Sequence, residues 1–426
     1  MNKKLVTLAV AAAIAAPAAA MADATMYGKL HVSVDYADVK SRLDEDESTF
    51  KGWGLNGQGM IPGVHPSNRV GIKGSEDLGG GLKAIYQVEL GVTLADSDYD
   101  INNGDKGDGL NMRNSFVGLA GNWGTFLVGR HDTPLKISTG ALDLFADTMA
   151  DYNGTVGFHD VRADNAIAYI SPNWSGFQFA GAVVPGGGST VTGQKNIDSD
   201  SIAAGWGLAG IYKNGPFYAS IAYELFGKEL AGTASTEVGT EGDLFADNMM
   251  MTADGLAPVS GYVEVMDPDT GMGTGEYEAA PGVTTVHTVR DKEYKKWRVG
   301  LGLLDWNGFT LTGIYEDQKN VPSAGGVFVH DNERKLWQVQ AGYAFGNNMV
   351  KAMYGQVDRD LGDQFAGSVA ATIRKLQDAD RSTWALAFDH NFSKRTRAYI
   401  VYTDVDDDAA FDNDWSGVSL GMIHKF

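Results

Sequence analysis

The chain has 426 residues, with 54 acidic and 34 basic side chains, which gives a formal net charge of −20. This acidic balance argues against nucleic acid as a partner, because nucleic-acid binding requires a basic surface. The chain contains no cysteine, so its fold does not depend on disulfides.

The first 22 residues have the pattern of a secretory signal peptide. Lys3 and Lys4 precede an apolar run over residues 5–16, and Ala20-Met21-Ala22 fits a cleavage site. An N-terminal membrane anchor is disfavoured because the apolar run is short. We therefore expect residues 1–22 to be removed on export, which leaves a chain from residue 23 with 32 basic and 54 acidic side chains, a net charge of −22. No later apolar run is long enough to predict a transmembrane helix.

Most of the remaining chain alternates between apolar and polar residues. In "GKLHVSVDY", Leu30, Val32 and Val34 alternate with polar neighbours, and the segments at 69–73 and 82–90 repeat this pattern. A period of two predicts strands with one apolar and one polar face. A soluble sandwich would bury the apolar faces against a second sheet, whereas a membrane barrel would turn them toward lipid.

Short turns and long polar stretches follow each other in regular order. Tight turns are predicted at 78–81, 122–124, 175–176, 214–216, 307–308, 346–348 and 393–395. Long loops are predicted at about 38–66, 95–111, 134–161, 186–199, 228–292, 320–332, 362–380 and 405–414. Seven turns and eight loops connect sixteen strands. Short connections on one side and long ones on the other are typical of an outer-membrane barrel.

Aromatic residues cluster at the predicted tight turns. Trp174 and Phe177 flank one turn, and Trp306 and Phe309 flank another. Rings of aromatic side chains at the membrane interfaces are a feature of such barrels. This placement favours the membrane barrel over the soluble sandwich.

The C-terminus and several internal segments resemble a known family. The terminal strand carries Leu420 and Met422 and ends on Phe426, which resembles the assembly signal of Gram-negative outer-membrane barrels. The chain as a whole resembles a general-diffusion porin. The resemblance is carried by "ATMYGKLHVSVDY" (24–36), "SNRVGIKGSEDLGGGLKAIYQVE" (67–89), "RNSFVGLAGNWGTFLVGRHDTP" (113–134) and "RADNAIAYISPNWSGF" (162–177).

This resemblance implies both a fold and a function. The fold is all-β: a transmembrane 16-stranded antiparallel barrel over residues 23–426, with short periplasmic turns, long extracellular loops and a third loop that folds inward. The function implied is passive diffusion of small hydrophilic solutes and ions across the outer membrane. The implied partners are outer-membrane lipid, lipopolysaccharide, two further copies in a homotrimer, and the barrel assembly machinery acting on the C-terminal strand. A substrate-preferring porin for phosphate, a sugar or a dicarboxylate is the alternative.

An enzyme is not expected, nor is a cofactor. The nearest Ser and His pair, His31 and Ser33, shares the parity of a lumen-facing surface rather than a lipid-facing one. The acidic stretch 96–108 begins like a calcium loop but lacks its central Gly and terminal Glu, so no metal is expected there. The resemblance instead implies that this second loop contacts a neighbouring subunit. The fifth loop, 228–292, is long for the family.

The third loop, 134–161, is the expected pore constriction. Within "ALDLFADTMADYNG" it carries three aspartates at intervals of four residues, which would share one face if the segment were helical. They are Asp143, Asp147 and Asp151. The resemblance implies that they face basic residues of the barrel wall across water. The corresponding basic residues are Lys29, Arg69, Arg130 and Arg162, with Arg113 as a fifth candidate. Strand parity supports Lys29, Arg69 and Arg162, whereas Arg130 rests on the resemblance alone.

Overall fold

The computed structural model describes residues 24–41, 48–56, 67–95, 110–186, 200–227, 293–321, 333–360, 380–408 and 413–426, with Leu230 and six short strands between 238 and 286. The proposed signal peptide (1–22) and the acidic stretch 96–108 lie outside the described residues.

Twenty-four strands and two short helices make up the described structure. The first eleven strands are β1 (Thr25–Ser41), β2 (Ser48–Leu55), β3 (Arg69–Gly79), β4 (Leu82–Val92), β5 (Leu110–Met112), β6 (Ser115–Gly121), β7 (Gly124–Asp132), β8 (Arg162–Ile170), β9 (Phe177–Val184), β10 (Gly205–Asn214) and β11 (Phe217–Phe226). The last seven are β18 (Tyr294–Trp306), β19 (Phe309–Lys319), β20 (Glu333–Phe345), β21 (Asn348–Asp360), β22 (Arg381–Asn391), β23 (Thr396–Asp407) and β24 (Asn413–Lys425). The helices are α1 (Pro134–Thr139) and α2 (Tyr152–Thr155).

Six further strands lie between β11 and β18. They are β12 (Val238–Gly239), β13 (Met249–Thr252), β14 (Gly255–Pro258), β15 (Tyr262–Met266), β16 (Gly273–Ala279) and β17 (Thr285–Val286). They pair as β12 with β17, β13 with β14 and β15 with β16, each antiparallel. These six strands belong to one of the two compact units of the chain, and the large sheet belongs to the other.

The other eighteen strands, β1–β11 and β18–β24, form one closed antiparallel sheet. Apart from two places, each segment pairs with the next one in the sequence, β11 pairs with β18, and β24 returns to pair with β1 from Lys29 opposite Lys425 to Ser41 opposite Asn413. Two positions around the barrel are each filled by two segments. Both β2 and β3 pair with β1, and both β5 and β6 pair with β4. The eighteen segments therefore make sixteen barrel strands, which confirms the predicted strand number and antiparallel fold.

All seven predicted tight turns join adjacent strands of the barrel. At Asn307 and Gly308, φ is +51° and +88°, so both central residues have the positive φ of a type I′ turn. Asn and Gly tolerate this conformation best, which is why the dipeptide predicts the turn from sequence alone.

The predicted first loop, 38–66, was too long. β1 continues to Ser41, and β2 occupies residues 48–55 within that range. The outward side chains of β2 include Trp53 and Leu55, but two of its inward positions are Gly52 and Gly54. Glycine gives no hydrophobic or polar signal, so the alternation that marks a strand is hidden in this segment.

The two faces of the barrel wall differ sharply in polarity. On β1, Leu30, Val32 and Val34 are each about 40% exposed on the outer face, while Lys29 and His31 are buried on the inner face. Large exposed aliphatic and aromatic side chains continue around the other strands. An apolar outside and a polar inside are the reverse of a soluble barrel and suit a wall surrounded by lipid. Among the described residues, no helix is both long and apolar enough to cross a membrane.

Candidate pore constriction

The segment between β7 and β8 has two short helices connected by turns. Thr133 caps α1 through its hydroxyl, which accepts from the Lys136 amide, and Pro134 occupies the first helical turn. Asp151 caps α2 in the same way, accepting from the Asn153 amide at 2.9 Å. Residues 140–151 form turns, so the three aspartates do not share a helix face.

This segment lies inside the barrel, packed on one part of its inner wall. Phe145 and Met149 are fully buried in a cluster with inward side chains of β1 and β21–β24, including Val39 and Val401. A second cluster joins Leu142, Tyr152, Val156 and Phe158 to inward side chains of β11 and β19–β21. Apolar burial therefore anchors the segment to the wall on which these strands lie.

Glycines in that wall provide the space for the segment's side chains. A β-carbon at Gly300 would lie 2.5 Å from Leu142 Cδ1, and one at Gly302 would lie 2.7 Å from Leu142 Cδ2. A β-carbon at Gly355 would likewise lie 2.6 Å from Val156 Cγ2. These distances are far below van der Waals contact, so any larger residue would displace the segment or itself.

Asp147 contacts the wall on β1, as Lys29 Nζ donates to its Oδ2 at 2.5 Å. Lys29 is nearly buried, and the Asp147 side chain is 29% exposed. Burial alone would raise the pKa of Asp147, but the charge and hydrogen bond of Lys29, with the charge of Arg69, outweigh burial and lower it to about 2. Asp147 also has a left-handed backbone, with φ at +64°. Its amide donates to Asp151 Oδ2 at 2.7 Å, which holds this turn.

Asp143 and Asp151 form bonds within the segment and to the wall behind it. Asp143 Oδ1 accepts from the Phe145 amide and from Gln340 Nε2 on β20, each at 2.9 Å. Burial and the neighbouring Asp151 charge raise the pKa of Asp143. Burial and the Asp147 charge raise the pKa of Asp151 to about 6. These two carboxyl groups therefore hold their protons more strongly than Asp147 does.

Arg69 and Arg113 share one carboxylate on the wall. Arg113 Nε donates to Glu89 Oε1 at 2.8 Å, and Arg69 Nε lies 3.8 Å from Glu89 Oε2. Tyr27 also donates to Glu89, at 2.9 Å. Glu89 was not predicted as a site residue, although the alternation of its strand places it on the polar face with Gln87.

Arg162 and Arg130 are also paired with carboxylates. Arg162 lies 3.0 Å from Asp132, which Lys136 of α1 also approaches at 3.3 Å. Arg130 Nη1 donates to Asp164. Parity along β8 does not decide the direction of Arg162, because the pairing of β7 with β8 shifts register between Gly129 and His131, so Ala163 and Ala166 are both buried. A parity count cannot cross such an irregularity.

Interruptions in neighbouring strands bring the basic side chains to one stretch of wall. Lys29 is opposite Arg69, and Arg69 is opposite Gly91 on β4. Arg113 occupies the break between β5 and β6, and its amide donates to the Glu89 carbonyl. Bulges and breaks re-aim side chains that a regular strand would alternate between faces. The structure thus brings the five predicted basic residues into one region, interleaved with acids.

Three buried basic residues on the opposite wall, which form four ion pairs, were not predicted from the sequence. Lys296 pairs with Glu224 at 2.9 Å, Lys351 with Asp389 at 3.0 Å, and Arg298 with Glu316 and Asp160. Lys296 and Arg298 alternate with outward Trp297 and Val299, so their inward direction was readable from the sequence. Their partners lie far away along the chain and were not. In the described part of the chain, no group of three or more His, Asp or Glu residues is arranged to hold a metal ion.

Comparisons with known proteins agree with this architecture. A family model described as "Gram-negative porin" matches residues 7–410. An outer membrane porin protein of Bordetella pertussis is 34% identical over 188 residues, which cover 42% of this chain and 47% of that protein. A major outer membrane protein P.IB of Neisseria meningitidis serogroup A is 34% identical over 220 residues, which cover 51% of this chain and 57% of that protein. These matches thus span about half the length of each relative.

The solved structures support the same fold. One described as an anion-selective porin from Comamonas acidovorans superimposes with a TM-score of 0.56 at 20% identity, covering 95% of this chain and 99% of that one.

Proposed function

The chain belongs to the Gram-negative porin family and is an outer-membrane protein, and on this premise we propose that it forms a water-filled channel for passive diffusion of small hydrophilic solutes and ions. Family membership implies a channel rather than an enzyme. The observation that carries the proposal is the acidic segment lying inside a closed barrel, bonded through Asp147 to Lys29 of the wall.

The mechanism we propose is a transverse electric field in a narrow aqueous neck between the acidic segment and the basic wall. Asp143, Asp147 and Asp151 lie on the inward segment, and the basic side chains lie on the wall from β1 to β8. The two sides touch where Asp147 binds Lys29. Opposed charges set up a transverse field in which water and polar solutes align. An apolar solute must displace this ordered water without replacing its interactions, so passage favours small hydrophilic molecules. The basic residues proposed to line this neck are Lys29, Arg69, Arg113, Arg130 and Arg162.

We further propose that the neck prefers anions. Six basic side chains of this region, the five above and Lys136, face five carboxylates that are charged at pH 7: Glu89, Asp132, Asp147, Asp151 and Asp164. This leaves an excess of one positive charge. The solved structure from Comamonas acidovorans is described as anion-selective, which supports the same preference here. A channel dedicated to phosphate, a sugar or a dicarboxylate is not favoured, because the matching family model is that of Gram-negative porins and the relatives are named an outer membrane porin protein and a major outer membrane protein.

The remaining partners follow from the barrel's outer surface and its closure. We propose that the apolar outer face contacts lipid and lipopolysaccharide, and that the barrel assembles as a homotrimer. The amide of Phe426 donates to the Gly28 carbonyl at 3.1 Å, so the terminal residue takes part in closing the barrel. This position supports a role for the C-terminal strand and Phe426 as the signal read by the barrel assembly machinery.

Liposome swelling tests the diffusion proposal directly. Purified, folded protein in liposomes is exposed to neutral sugars of increasing size. We expect rates that fall steeply with solute size and do not saturate with concentration. Saturation by one sugar would instead support a substrate-preferring channel, and an absence of swelling would contradict the proposal.

A further inference from the structure

One arginine on the inner wall contacts both ends of the inward segment. Arg298 lies on β18 with its side chain fully buried. Its Nη1 donates to Thr139 Oγ1 at 2.8 Å and to Asp160 Oδ1 at 2.7 Å. Thr139 is the last residue of α1, and Asp160 lies just before β8. All three predicted aspartates lie between these two contacts.

The guanidinium is itself fixed to the wall. Its Nε donates to Glu316, which lies directly opposite Arg298 on β19. Gln318 of β19 in turn donates to Glu316. Because one planar group forms bonds in several fixed directions, Arg298 can hold Thr139 and Asp160 at a set distance from the strands.

Two glycines of the same strand leave room for a side chain of the inward segment. Arg298, Gly300 and Gly302 share the inward parity of β18, and Leu142 occupies the space above the two glycines. The rings of Tyr152 and Phe158 lie over the guanidinium, with its carbon 5.8 Å and 5.2 Å from their centroids. Polar bonds, apolar packing and steric fit thus converge on residues 298–302.

We propose that Arg298, with Gly300 and Gly302, fixes the inward segment to the barrel wall. By fixing it, these residues set the open size of the pore and keep the current steady. The inference rests on the proposed channel function. Arg298 is a positioning residue, because it acts on permeation through the segment that it holds. Breaking its bonds releases both ends of the segment while leaving the barrel's strand pairing in place.

Single-channel recording of the full-length protein tests whether Arg298 fixes the inward segment to the wall. Arg298→Gln and Asp160→Asn each remove the charge-assisted bond between wall and segment. We expect the fraction of time spent in reduced-conductance states to rise about tenfold or more in either variant. The double variant should add little to either single one, because both remove the same bond. Arg298→Lys, which keeps the charge, should recover part of the steadiness.

Two controls keep the test decisive. Arg359→Gln removes another arginine of the inner wall, one that forms two bonds with Asp407 of β23, and should leave the current steady. If Arg298→Gln does not fold, Asp160→Asn alone carries the test. Steady, wild-type currents from folded Arg298→Gln or Asp160→Asn would overturn the proposed role of Arg298. A wild-type protein that forms no channels would instead overturn the proposed function on which it rests.

Discussion

At the scale of single residues, the three aspartates of one short sequence have three different environments. Asp147 accepts a hydrogen bond from Lys29 of the barrel wall, whereas Asp151 caps helix α2 within the segment. Asp143 is bonded to Gln340 on the wall behind. Equal spacing in the sequence therefore does not give equal roles, because the turns between the residues point each carboxylate in its own direction.

Asp147→Asn should shift ion selectivity toward anions. The change removes a negative charge facing Lys29 and leaves that cation uncompensated. Because Lys29 is nearly buried, removing its charged partner should also lower folding stability, by about 1–3 kcal/mol. Reversal potentials under a salt gradient measure the shift. Asp305→Asn, at a tight turn outside the constriction, is the matched control and should leave selectivity unchanged.

Anion preference should increase as the pH falls from 7 to 5. Burial and the Asp147 charge raise the pKa of Asp151 to about 6, so this carboxyl group loses its negative charge on acidification through that value. The same shift favours the folded state below the ordinary pKa of 3.8, and this contribution is lost as the pH rises through about 6. Reversal potentials across this range should change with a midpoint near pH 6. Asp151→Asn should flatten the change, and an unaltered midpoint in that variant would contradict the assignment.

At the scale of elements, the position of the inward segment depends on glycines in the strands that it packs against, because these residues have no side chain. The glycines of β18 and β21 leave space for Leu142 and Val156, so the absence of side chains on the wall defines where the segment fits. Apolar burial supplies the adhesion, while Arg298 and Lys351 supply directed bonds. Sequence patterns show the glycines but do not show what fills the space above them.

Gly300→Ala should displace the segment and change the conductance. The new β-carbon would lie 2.5 Å from Leu142, and overpacking of this kind costs about 1–3 kcal/mol. Leu142→Ala in the same protein should restore part of the conductance, because it removes the shortest contact but leaves those with Ser220 Oγ at 2.8 Å and Thr139 Cγ2 at 3.0 Å. Gly313→Ala is the control, because its β-carbon would meet its nearest atom at 3.7 Å, an ordinary contact. Equal conductance in all three variants and the wild type would show that the fit at Gly300 is unimportant.

Local patterns predicted the barrel well because strands and turns are local features. Asn307-Gly308 requires a turn, and the alternation around Leu30 requires a two-faced strand, whatever the rest of the chain does. β2 was not predicted because Gly52 and Gly54 on its inner face interrupt the alternation of apolar and polar residues. The pairing of Arg298 was not predicted because Asp160 lies 138 residues away along the chain, and only the closed barrel brings the two together.

At the scale of the whole molecule, the barrel combines an apolar outside with a densely paired polar inside. Lys296, Arg298 and Lys351 are almost fully buried, yet each is paired with a carboxylate. Buried charges are tolerated only when their partners are in place. The lipid-facing side chains have no such requirement and need only be apolar.

Leu301→Arg should impair folding into membranes. Leu301 is 60% exposed on the outer face near the middle of β18, where a cation in the hydrocarbon layer costs about 2–4 kcal/mol. Urea titration of the protein folded in lipid vesicles measures this cost. Leu301→Phe, which remains apolar, should fold like the wild type, and equal stability of both variants would contradict a lipid-facing position.

The reversal potential of the wild-type protein in a planar bilayer with a salt gradient tests the central claim most directly. A water-filled barrel with a basic wall facing an acidic segment should give stepwise, ohmic conductance and a reversal potential of the sign expected for anion preference. Well-folded protein that inserts without conductance steps would contradict the channel. Steps with a cation-preferring reversal potential would contradict the proposed excess of positive charge at the neck.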